Sequence, residues 1–285
     1  MQFWMPMQLQ KNRRLSEFST FGIGGPIAYF VEVSSIEDME KAYLLDLPKM
    51  VIGKGSNSLF PDRGFDGLVI LNKIDFCHWQ GADVQVGSGY SFSLLGVQSA
   101  RNHFSGLEFA SGIPATVGGA VFMNAGANGS ETCESLQSVL FFNGKERKQY
   151  MRSELEFGYR TSSFQKMDGV ILAATFSLKE LPFARQKQLE IIDYRMKTQP
   201  LKEKSAGCVF RNPPGASAGA LIDRCGLKGV RAGGAKVSEI HANFIVNAEK
   251  ATSEDVKTLI QLVREKVFEQ TGILLETEIR IFDER

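Results

Sequence analysis

The segment Ser111-Gly-Ile-Pro-Ala-Thr-Val-Gly-Gly-Ala-Val-Phe-Met-Asn-Ala-Gly126 sets glycines and one proline among residues that are otherwise small or apolar. Glycine permits positive φ angles and lets the main chain approach another object closely, at an entropic cost. Such a segment can turn its backbone N–H groups toward a bulky ligand that carries phosphate. It can equally form a tight loop in a packed core without any ligand. From this segment alone, the two interpretations carry equal weight.

The overall composition is that of a globular protein. The 285 residues suffice for one large domain or for two to three ordinary ones. The hydrophobic content of 43% and the charged content of 23% argue against disorder. A net charge of +1 provides no positive field that would attract nucleic acid or an anionic membrane. Small molecules are therefore the expected partners.

The sequence also constrains compartment and metal binding. Residues 1–9 lack a basic region followed by a long apolar run, so no secretory signal is expected. No apolar run approaches the ~20 residues of a membrane-spanning helix. The four widely spaced cysteines fit reduced thiols in the cytoplasm better than a disulfide framework. The three histidines form no ligand cluster, so no metal site is expected.

The pattern of apolar residues predicts strands and helices in alternation. Near the amino terminus, Ser35 is the predicted N-cap of a short helix. Strands dominate from about 71 to 181, with one helix after Ser91. The predicted strands of the first 71 residues are 27–33, 50–53 and 68–71.

The carboxy-terminal third contains the clearest helix. A polar stretch at 179–188 predicts a domain boundary, and a helix follows to about residue 198. Further on, Thr252 or Ser253 caps a helix with apolar residues every three or four positions, and Gly272 ends it. A closing strand is predicted at 278–282.

A second glycine-rich loop, Gly53-Lys-Gly-Ser-Asn-Ser58, follows a predicted strand. It is not a Walker A loop, because the earlier glycine of that motif is missing. It is also a poor Rossmann fingerprint, since Ser58 stands where the third glycine would be. The backbone amides of Gly53 and Gly55, with nearby hydroxyls, can still form a small anion-binding nest. Two such loops could hold the two ends of a dinucleotide.

Three further positions are candidates for chemistry. Arg160, between hydroxyl and aromatic residues, could present its guanidinium to a carboxylate or phosphate, or it could be a solvated loop arginine. Cys208 could donate a proton, or it could be a small buried hydrophobe. Glu276, Glu278 and Arg280 alternate on one face of the predicted closing strand. That face could be solvated, or it could close a ligand cleft and give Glu278 a positioning or acid–base role.

Nine motifs in a fixed order, spanning about residues 15 to 282, resemble the UDP-N-acetylenolpyruvoylglucosamine reductase family of bacterial peptidoglycan synthesis. Each motif is modest alone, and their shared order is specific. They are Thr20-Phe-Gly-Ile-Gly-Gly-Pro26, Gly53-Lys-Gly-Ser-Asn57, Gly112-Ile-Pro-Ala-Thr-Val-Gly-Gly-Ala120 with Met123-Asn-Ala-Gly126, Tyr159-Arg-Thr-Ser-Ser-Phe164, Ser205-Ala-Gly-Cys-Val-Phe-Arg-Asn-Pro213, Gly219-Ala-Leu-Ile-Asp223, Gly233-Gly-Ala-Lys-Val-Ser238, His241-Ala-Asn-Phe244 and Glu276-Thr-Glu-Ile-Arg280.

The resemblance implies an α+β fold with an FAD-binding part of the vanillyl-alcohol-oxidase type. That part would comprise two α+β subdomains, 1–70 and 71–183, followed by an α+β substrate-binding domain at 184–285. The implied reaction transfers hydride from NADPH through bound FAD to the enolpyruvyl double bond of UDP-N-acetyl-3-O-(1-carboxyvinyl)glucosamine, giving UDP-N-acetylmuramate. A cytoplasmic monomer that acts on a UDP-sugar is expected.

The resemblance also assigns roles to residues. Arg160 is similar to the arginine that grips the enolpyruvyl carboxylate, Glu278 to its partner glutamate, and Cys208 to the proton donor. The residues implied to hold the FAD pyrophosphate and isoalloxazine are Gly53, Lys54, Gly55, Ser56, Asn57, Ser58, Ser111, Gly112, Ile113, Pro114, Thr116, Gly118, Gly119, Asn124, Ala125 and Gly126. The residues implied to bind substrate are Tyr159, Ser162, Arg211, Asn212 and His241.

The chain departs from the family pattern at a few positions. Cys208 stands where serine is usual, although some members are similar in carrying cysteine. Arg211 replaces a common lysine, and Ala115 replaces a common glycine. The short distance in sequence between Arg160 and Cys208 leaves little room for an extra substrate-capping loop, which implies the shorter subtype. Two alternatives remain open: a related flavin oxidase or dehydrogenase with another hydroxylated substrate, and a flavin- or nucleotide-binding module without catalysis.

Overall fold

The computed structural model describes residues 8–282. The expectation that no secretory signal is present concerns residues 1–9, most of which lie outside the described residues. The α-helices are α1 (Ile36–Tyr43), α2 (Phe92–Arg101), α3 (Val117–Met123), α4 (Ala184–Thr198), α5 (Ala218–Arg224) and α6 (Ser253–Thr271). The strands are β1 (Arg13–Arg14), β2 (Pro26–Val33), β3 (Lys49–Ile52), β4 (Ser58–Leu59), β5 (Phe65–Asn72), β6 (Cys77–Gln80), β7 (Asp83–Gly87), β8 (Phe104–Ser105), β9 (Gly126–Ala127), β10 (Ser130–Glu131), β11 (Leu136–Phe142), β12 (Arg147–Met151), β13 (Phe157–Gly158), β14 (Thr161–Ser162), β15 (Val170–Ser177), β16 (Lys179–Glu180), β17 (Ser205–Cys208), β18 (Arg231–Ala232), β19 (Ala235–Val237), β20 (Phe244–Asn247) and β21 (Arg280–Ile281).

The chain divides into two compact units that alternate along the sequence. Within the described residues, unit one comprises residues 8–11, Tyr29–Gly53 and Gly67–Tyr194, and unit two comprises Asn12–Ala28, Lys54–Asp66 and residues 195–282. The sequence analysis instead divides the chain into three consecutive segments, with boundaries after residues 70 and 183. That three-part division stays a prediction.

Unit one is built around a five-stranded antiparallel sheet in the order β12-β11-β15-β7-β6. The central strand β15 reads Val-Ile-Leu-Ala-Ala-Thr-Phe-Ser, and nearly all of it is buried, because Ile171, Ala174 and Phe176 pack in one core and Val170 and Leu172 in another. Side chains of α2 and α3 join this sheet in one core with Val86, Val139 and Phe176. Val117, Ala120 and Val121 of the glycine-rich segment are part of this core, which fixes the position of the segment.

A second core of unit one lies against the parallel pair β3 and β5. Helix α1 begins at its predicted cap, because the Ser35 hydroxyl accepts a hydrogen bond from the Asp38 N–H at 3.1 Å. Met39 and Ala42 of this helix are fully buried. The loop that contains Gly53 follows β3 directly.

Unit two contains the antiparallel sheet β17-β20-β19-β18, whose core includes α5 and α6. Helix α6 begins at Thr252, which forms a capping box with Asp255, and ends at Gly272 with φ 71°. The repeated apolar residues of α6 are buried in the core. The predicted boundaries of this helix are therefore confirmed.

Three of the differences between the structure and the sequence expectations concern the candidate site. Half of the glycine-rich segment is the helix α3, which the sequence analysis did not predict. The seven-residue helix α5 was also missed. The predicted closing strand 278–282 is wrong in extent, because only Arg280–Ile281 pairs as a strand. Glu276, Glu278 and Arg280 therefore do not share one regular strand face.

Two surveys of residues 8–282 bear on membranes and metals. None of the helices there is long and apolar enough to cross a membrane. The same residues hold no group of three or more His, Cys, Asp or Glu side chains suited to a metal ion.

Candidate active site

The glycine-rich segment turns sharply and then becomes helical. After a short 3-10 turn at Glu108–Ala110, Gly112 adopts φ 85°, a conformation that favours glycine. Thr116 is the N-cap of α3, and its hydroxyl accepts a hydrogen bond from the Gly119 N–H at 3.3 Å. Asn124 ends the helix in a left-handed conformation. The local geometry thus explains the residue types: glycine at 112 for its positive φ, threonine at 116 as the helix N-cap, and asparagine at 124 for the left-handed end of the helix.

The glycines of this segment serve two purposes. Close packing requires glycine at Gly118, where a Cβ would lie 2.9 Å from the Ser88 Cβ. It also requires glycine at Gly53 of the other loop, where a Cβ would lie 2.5 Å from the Thr116 hydroxyl. Gly119 is different, because a Cβ there would meet only the Thr116 hydroxyl at 3.4 Å. Gly112, Pro114 and Gly119 are exposed, and they form a surface without bulky side chains. That surface can receive a flat ligand.

Ser111 carries a direct indication that a group is bound here. The residue is fully buried, and its hydroxyl has no hydrogen-bond partner among the described residues. Buried polar groups in proteins almost always have a partner, and a bound ligand is one explanation for an exception. Together with the open side of Gly119, this hydroxyl fits a bound FAD.

The end of the segment is held by Asn124, which is fully buried. Its amide nitrogen donates to the Glu131 carboxylate at 2.8 Å and to the Gly158 carbonyl at 2.9 Å, and its oxygen accepts from the Cys133 N–H at 3.0 Å. The side chain is thus occupied by protein partners. A role of Asn124 in FAD binding would have to come from its backbone.

Arg160 occupies a two-residue turn between β13 and β14. Its φ of 58° is unusual for a residue with a side chain and costs of order 1–3 kcal/mol, and such residues cluster at functional sites. Its Nη2 donates to the Gly126 carbonyl at 2.8 Å, and the guanidinium lies over the Tyr159 ring at 4.9 Å. Ser162, on the next strand, donates its hydroxyl proton to the Phe122 carbonyl at 2.7 Å. The arginine is therefore positioned by the glycine-rich segment and is half-buried.

In unit two, the loop of Lys54, Gly55, Ser56, Asn57 and Ser58 is pinned on both sides. Gly55 has φ 58°, and a Cβ there would collide with a neighbouring main-chain carbonyl. The Asn57 amide nitrogen donates to the Glu278 carbonyl at 3.3 Å, and the Asn57 carbonyl accepts from the Arg280 N–H at 2.9 Å. Strands β4 and β21 continue this contact as a parallel pair.

Cys208 is displayed by a β-bulge. Ser205 pairs with Val246 and Cys208 pairs with Phe244, so β17 has one residue more than its partner strand. Gly207 supplies the bulge with φ 78°, and nothing lies within 4 Å of its would-be Cβ. Conformation, rather than space, therefore requires glycine at 207. The Cys208 thiol is half-buried and is not part of a disulfide.

The segment 276–278 runs beside the chain that follows Cys208. The Glu278 N–H donates to the Val209 carbonyl at 2.7 Å, and the Arg211 N–H donates to the Glu276 carbonyl at 2.9 Å. The Asn243 side chain fixes the main chain of Phe210, which lies between Val209 and Arg211 in sequence. It donates to the Phe210 carbonyl at 2.8 Å and accepts from the Phe210 N–H at 2.9 Å. The structure thus brings the main chains at Cys208 and Glu278 together within unit two.

Charged and polar groups near this segment have distinct environments. Burial lowers the pKa of the Arg195 guanidinium, and its interaction with the Cys208 sulfur acts in the opposite direction. The Arg211 Nε is buried without a hydrogen-bond partner among the described residues. The Asn212 side-chain oxygen accepts from the N–H of Ala218, the first residue of α5, at 3.0 Å. Arg211 therefore offers a donor to a ligand, whereas the Asn212 oxygen braces the helix.

His241 lies close to α5 and is held in one tautomer. Its Nδ1 accepts from the Asn243 N–H at 3.2 Å, which leaves the proton on Nε2 in the neutral ring. Burial, with a smaller contribution from Lys228, lowers the pKa of His241 below its ordinary value of 6.5. The ring is therefore neutral at neutral pH and can donate from Nε2.

The candidate residues thus form two sets, described separately. In unit one, the glycine-rich segment, Tyr159, Arg160 and Ser162 lie together. In unit two, the loop 54–58, Cys208, Arg211 and Glu278 belong to neighbouring main-chain segments. Sequence reasoning missed Asn243, although it lies in the motif with His241. A buried asparagine between apolar residues was the signal that could have identified it.

The comparisons with known proteins cover nearly the whole chain. Residues 27–146 match the family described as FAD binding domain, and residues 199–282 match UDP-N-acetylenolpyruvoylglucosamine reductase, C-terminal domain. The UDP-N-acetylenolpyruvoylglucosamine reductase of Protochlamydia amoebophila is 57% identical, over 97% of this chain and 94% of that protein. The enzyme of that name from Chlamydia felis is 46% identical, over 98% and 96%.

A solved structure agrees with these relatives. The crystal structure of UDP-N-acetylenolpyruvylglucosamine reductase from Thermus caldophilus aligns with a TM-score of 0.86 and 39% identity, covering 98% of this chain and 100% of that one. The predicted α+β fold with an FAD-binding domain and a C-terminal reductase domain is therefore confirmed. By its sequence and by its fold, this chain belongs to the UDP-N-acetylenolpyruvoylglucosamine reductase family.

Proposed function

We propose that this protein is a flavoenzyme that reduces UDP-N-acetyl-3-O-(1-carboxyvinyl)glucosamine to UDP-N-acetylmuramate, with NADPH as the electron donor, for peptidoglycan synthesis. The observation that carries this function is the buried Ser111 hydroxyl without a protein partner, in the same glycine-rich segment as Gly119, where a Cβ would have almost no neighbours. It lies within the residues that match the FAD-binding family. Sequence identities of 57% and 46% to named reductases, over nearly the whole chain, support the assignment of the substrate.

Bound FAD supplies the hydride that is added to the terminal vinyl carbon of the substrate. As hydride arrives, negative charge builds on the substrate carboxylate, and we assign the Arg160 guanidinium to bind that carboxylate. A positioned donor of this kind is worth roughly 3–4 kcal/mol in the transition state. Arg160 suits this role because its turn and the Gly126 carbonyl fix its position before substrate binds.

The other substrate carbon must then receive a proton, which we assign to the Cys208 thiol. A thiol is a stronger acid than a serine hydroxyl, so it releases a proton more readily. The bulge at Gly207 sets the direction of Cys208, and the main chain of Glu278 lies alongside. We assign Glu278 to positioning or acid–base support. The substrate-binding roles of Tyr159, Ser162, Arg211, Asn212 and His241 stay predictions.

An anaerobic absorbance experiment tests the function. We expect the purified protein to be yellow, NADPH to bleach the flavin absorbance, and the enolpyruvyl sugar nucleotide to restore it. NADH in place of NADPH tests the predicted coenzyme preference. A protein that is folded but takes up no FAD would overturn the proposal, and bleaching without restoration by the sugar nucleotide would overturn the substrate assignment.

A related flavin oxidase is the alternative enzyme, and it would consume oxygen with an alcohol substrate rather than oxidise NADPH with the sugar nucleotide. The expected cytoplasmic location and monomeric state remain predictions. Sedimentation at micromolar concentration tests the latter.

A further inference from the structure

Two hydroxyl oxygens within residues 8–282 are shielded from water and have no hydrogen-bond partner: those of Ser111 and Thr20. A buried hydroxyl without a partner is costly, so each needs an explanation. Ser111 lies in the segment assigned to FAD. Thr20 begins the first of the nine motifs, and no role in the reaction has been assigned to it above.

Thr20 is held rigidly by its own turn. The Gly22 N–H donates to the Ser19 carbonyl at 3.0 Å, which closes a β-turn with Thr20 and Phe21 at its centre. The Phe21 N–H donates to the Ser19 hydroxyl at 3.1 Å, and the Phe21 side chain is fully buried. Asn247 donates to the Phe21 carbonyl at 2.9 Å. The orphan hydroxyl is thus a feature of a fixed turn and not of a loose loop.

This turn adjoins the second glycine-rich loop. A Cβ on Gly55 would collide with the Phe18 carbonyl and would lie 3.1 Å from the Ser19 Cα, so the two backbones touch at Gly55. All of these residues belong to unit two. The Thr20 hydroxyl therefore lies on a turn in direct contact with the loop predicted to hold the FAD pyrophosphate.

A positive charge lies over the same turn. The Lys204 side chain crosses Gly22, with its Cδ 3.2 Å and its Nζ 3.5 Å from where a Cβ of Gly22 would be. A hydroxyl donor, a lysine ammonium and the amides of a tight loop are a donor set that suits an anion. An apolar ligand group could not use these donors, and the phosphates of FAD are the anions that the function proposed for the loop 54–58 brings to this place.

We propose that Thr20 is a further FAD-binding residue, whose hydroxyl donates a hydrogen bond to a phosphate oxygen of the FAD pyrophosphate. The proposal rests on the function assigned above, and specifically on FAD binding at the loop 54–58. It gives the Thr20–Pro26 motif a role: the glycines shape the turn, and its first residue contacts the cofactor.

The test compares Thr20→Val, which removes the hydroxyl, with Thr20→Ser, which keeps it. FAD dissociation from the holoenzyme is measured by the flavin fluorescence that appears on dilution. We expect Thr20→Val to raise the FAD dissociation constant about 10- to 100-fold, as for a hydrogen bond to a charged group. The FAD dissociation constant of Thr20→Ser should stay within about 3-fold of the wild type, because serine keeps the hydroxyl donor.

Phosphorus NMR of the FAD-saturated proteins locates the contact. We expect a pyrophosphate resonance to shift in Thr20→Val, while the visible flavin spectrum is unchanged. Thr271→Val is the matched control, because its hydroxyl donates to the Val267 carbonyl at 2.7 Å at the end of α6. It should leave both the FAD dissociation constant and the phosphorus spectrum as in the wild type.

Several outcomes would overturn the role of Thr20. One is a Thr20→Val dissociation constant within twofold of the wild type; another is an unchanged phosphorus spectrum. A lowered thermal unfolding midpoint with unchanged FAD affinity would mean that the hydroxyl serves only the fold. Wild-type protein that binds no FAD would instead overturn the function itself, which keeps the two failures apart.

Discussion

At the residue scale, Cys208 is the residue that we propose as the proton donor. We expect Cys208→Ala to let NADPH bleach the flavin at the wild-type rate but to slow reoxidation by the sugar nucleotide about 10²- to 10⁴-fold, because a positioned proton donor is lost. Cys208→Ser should keep much of the activity. Stopped-flow absorbance of the two half-reactions measures both.

Cys225→Ala is a suitable control for Cys208, because it removes another half-buried thiol of unit two, at the end of α5. Both of its half-reactions should match the wild type. If Cys208→Ala slowed both half-reactions equally, its role as proton donor would be untenable.

Arg160 permits a second test at this scale, with a neighbour as its control. Arg160→Lys keeps the charge but loses the planar fork, so we expect the substrate half-reaction to slow about 10²-fold or more, with little change in flavin reduction. Arg152 makes similar contacts, since it donates to the Cys133 and Leu155 carbonyls and lies over the Phe157 ring at 4.7 Å.

Arg152→Lys should therefore leave both half-reactions intact, and any loss should appear in the unfolding midpoint. Equal slowing of the substrate half-reaction in Arg152→Lys and Arg160→Lys would show that the effect of Arg160 is only structural.

At the scale of elements, the bulge in β17 connects backbone conformation to the position of Cys208. Gly207→Ala places a side chain at φ 78°, so we expect it to lower the free energy of unfolding by ~1–2 kcal/mol. Gly215→Ala is the matched control, because it has φ 72° and also has open space around it. Both variants should lose similar stability in urea denaturation.

Only Gly207→Ala should slow flavin reoxidation by substrate, since only Gly207 directs Cys208. If the two variants retained the same activity, the bulge would have no part in the chemistry.

Elements with local signals could be predicted from the sequence. Helices α1, α2 and α6 begin at Ser35, Ser91 and Thr252 as expected, because a cap and an apolar repeat lie within a few neighbouring residues. Helix α3 was missed because its seven residues include Gly118 and Gly119, which lower helix propensity. Its stability comes from burial against the sheet, which no local pattern reports.

The candidate site was only partly readable from the sequence for the same reason. Motifs identified Arg160, Cys208 and the two glycine-rich loops. They did not show that the Asn124 side chain is committed to protein partners or that the Ser162 hydroxyl is bonded to Phe122, because those contacts join residues distant in sequence. The short extent of β21 depends on pairing with β4, which is equally nonlocal.

At the scale of the whole molecule, His241 predicts a pH dependence of stability. Burial holds its pKa in the folded protein below 6.5, so the unfolded chain takes up this proton first as the pH falls. The contribution of the neutral ring to folding is complete above about pH 6.5 and declines below it. Urea denaturation of His241→Gln should show a shallower loss of stability than the wild type as the pH is lowered below about 6.5. Parallel curves would contradict this assignment.

The interleaving of the two units has a consequence for biosynthesis. Asn57 and Glu278 are hydrogen-bonded although 221 residues separate them. At ~5–20 residues per second, a ribosome needs roughly 10–45 s to supply the second partner after the first has emerged. During that interval β4 has no partner strand, because β21 has not yet been synthesised, and its backbone N–H and C=O groups can pair with a wrong segment. A chain that lacked its last few residues would therefore also leave the early strand β4 without its pairing partner β21.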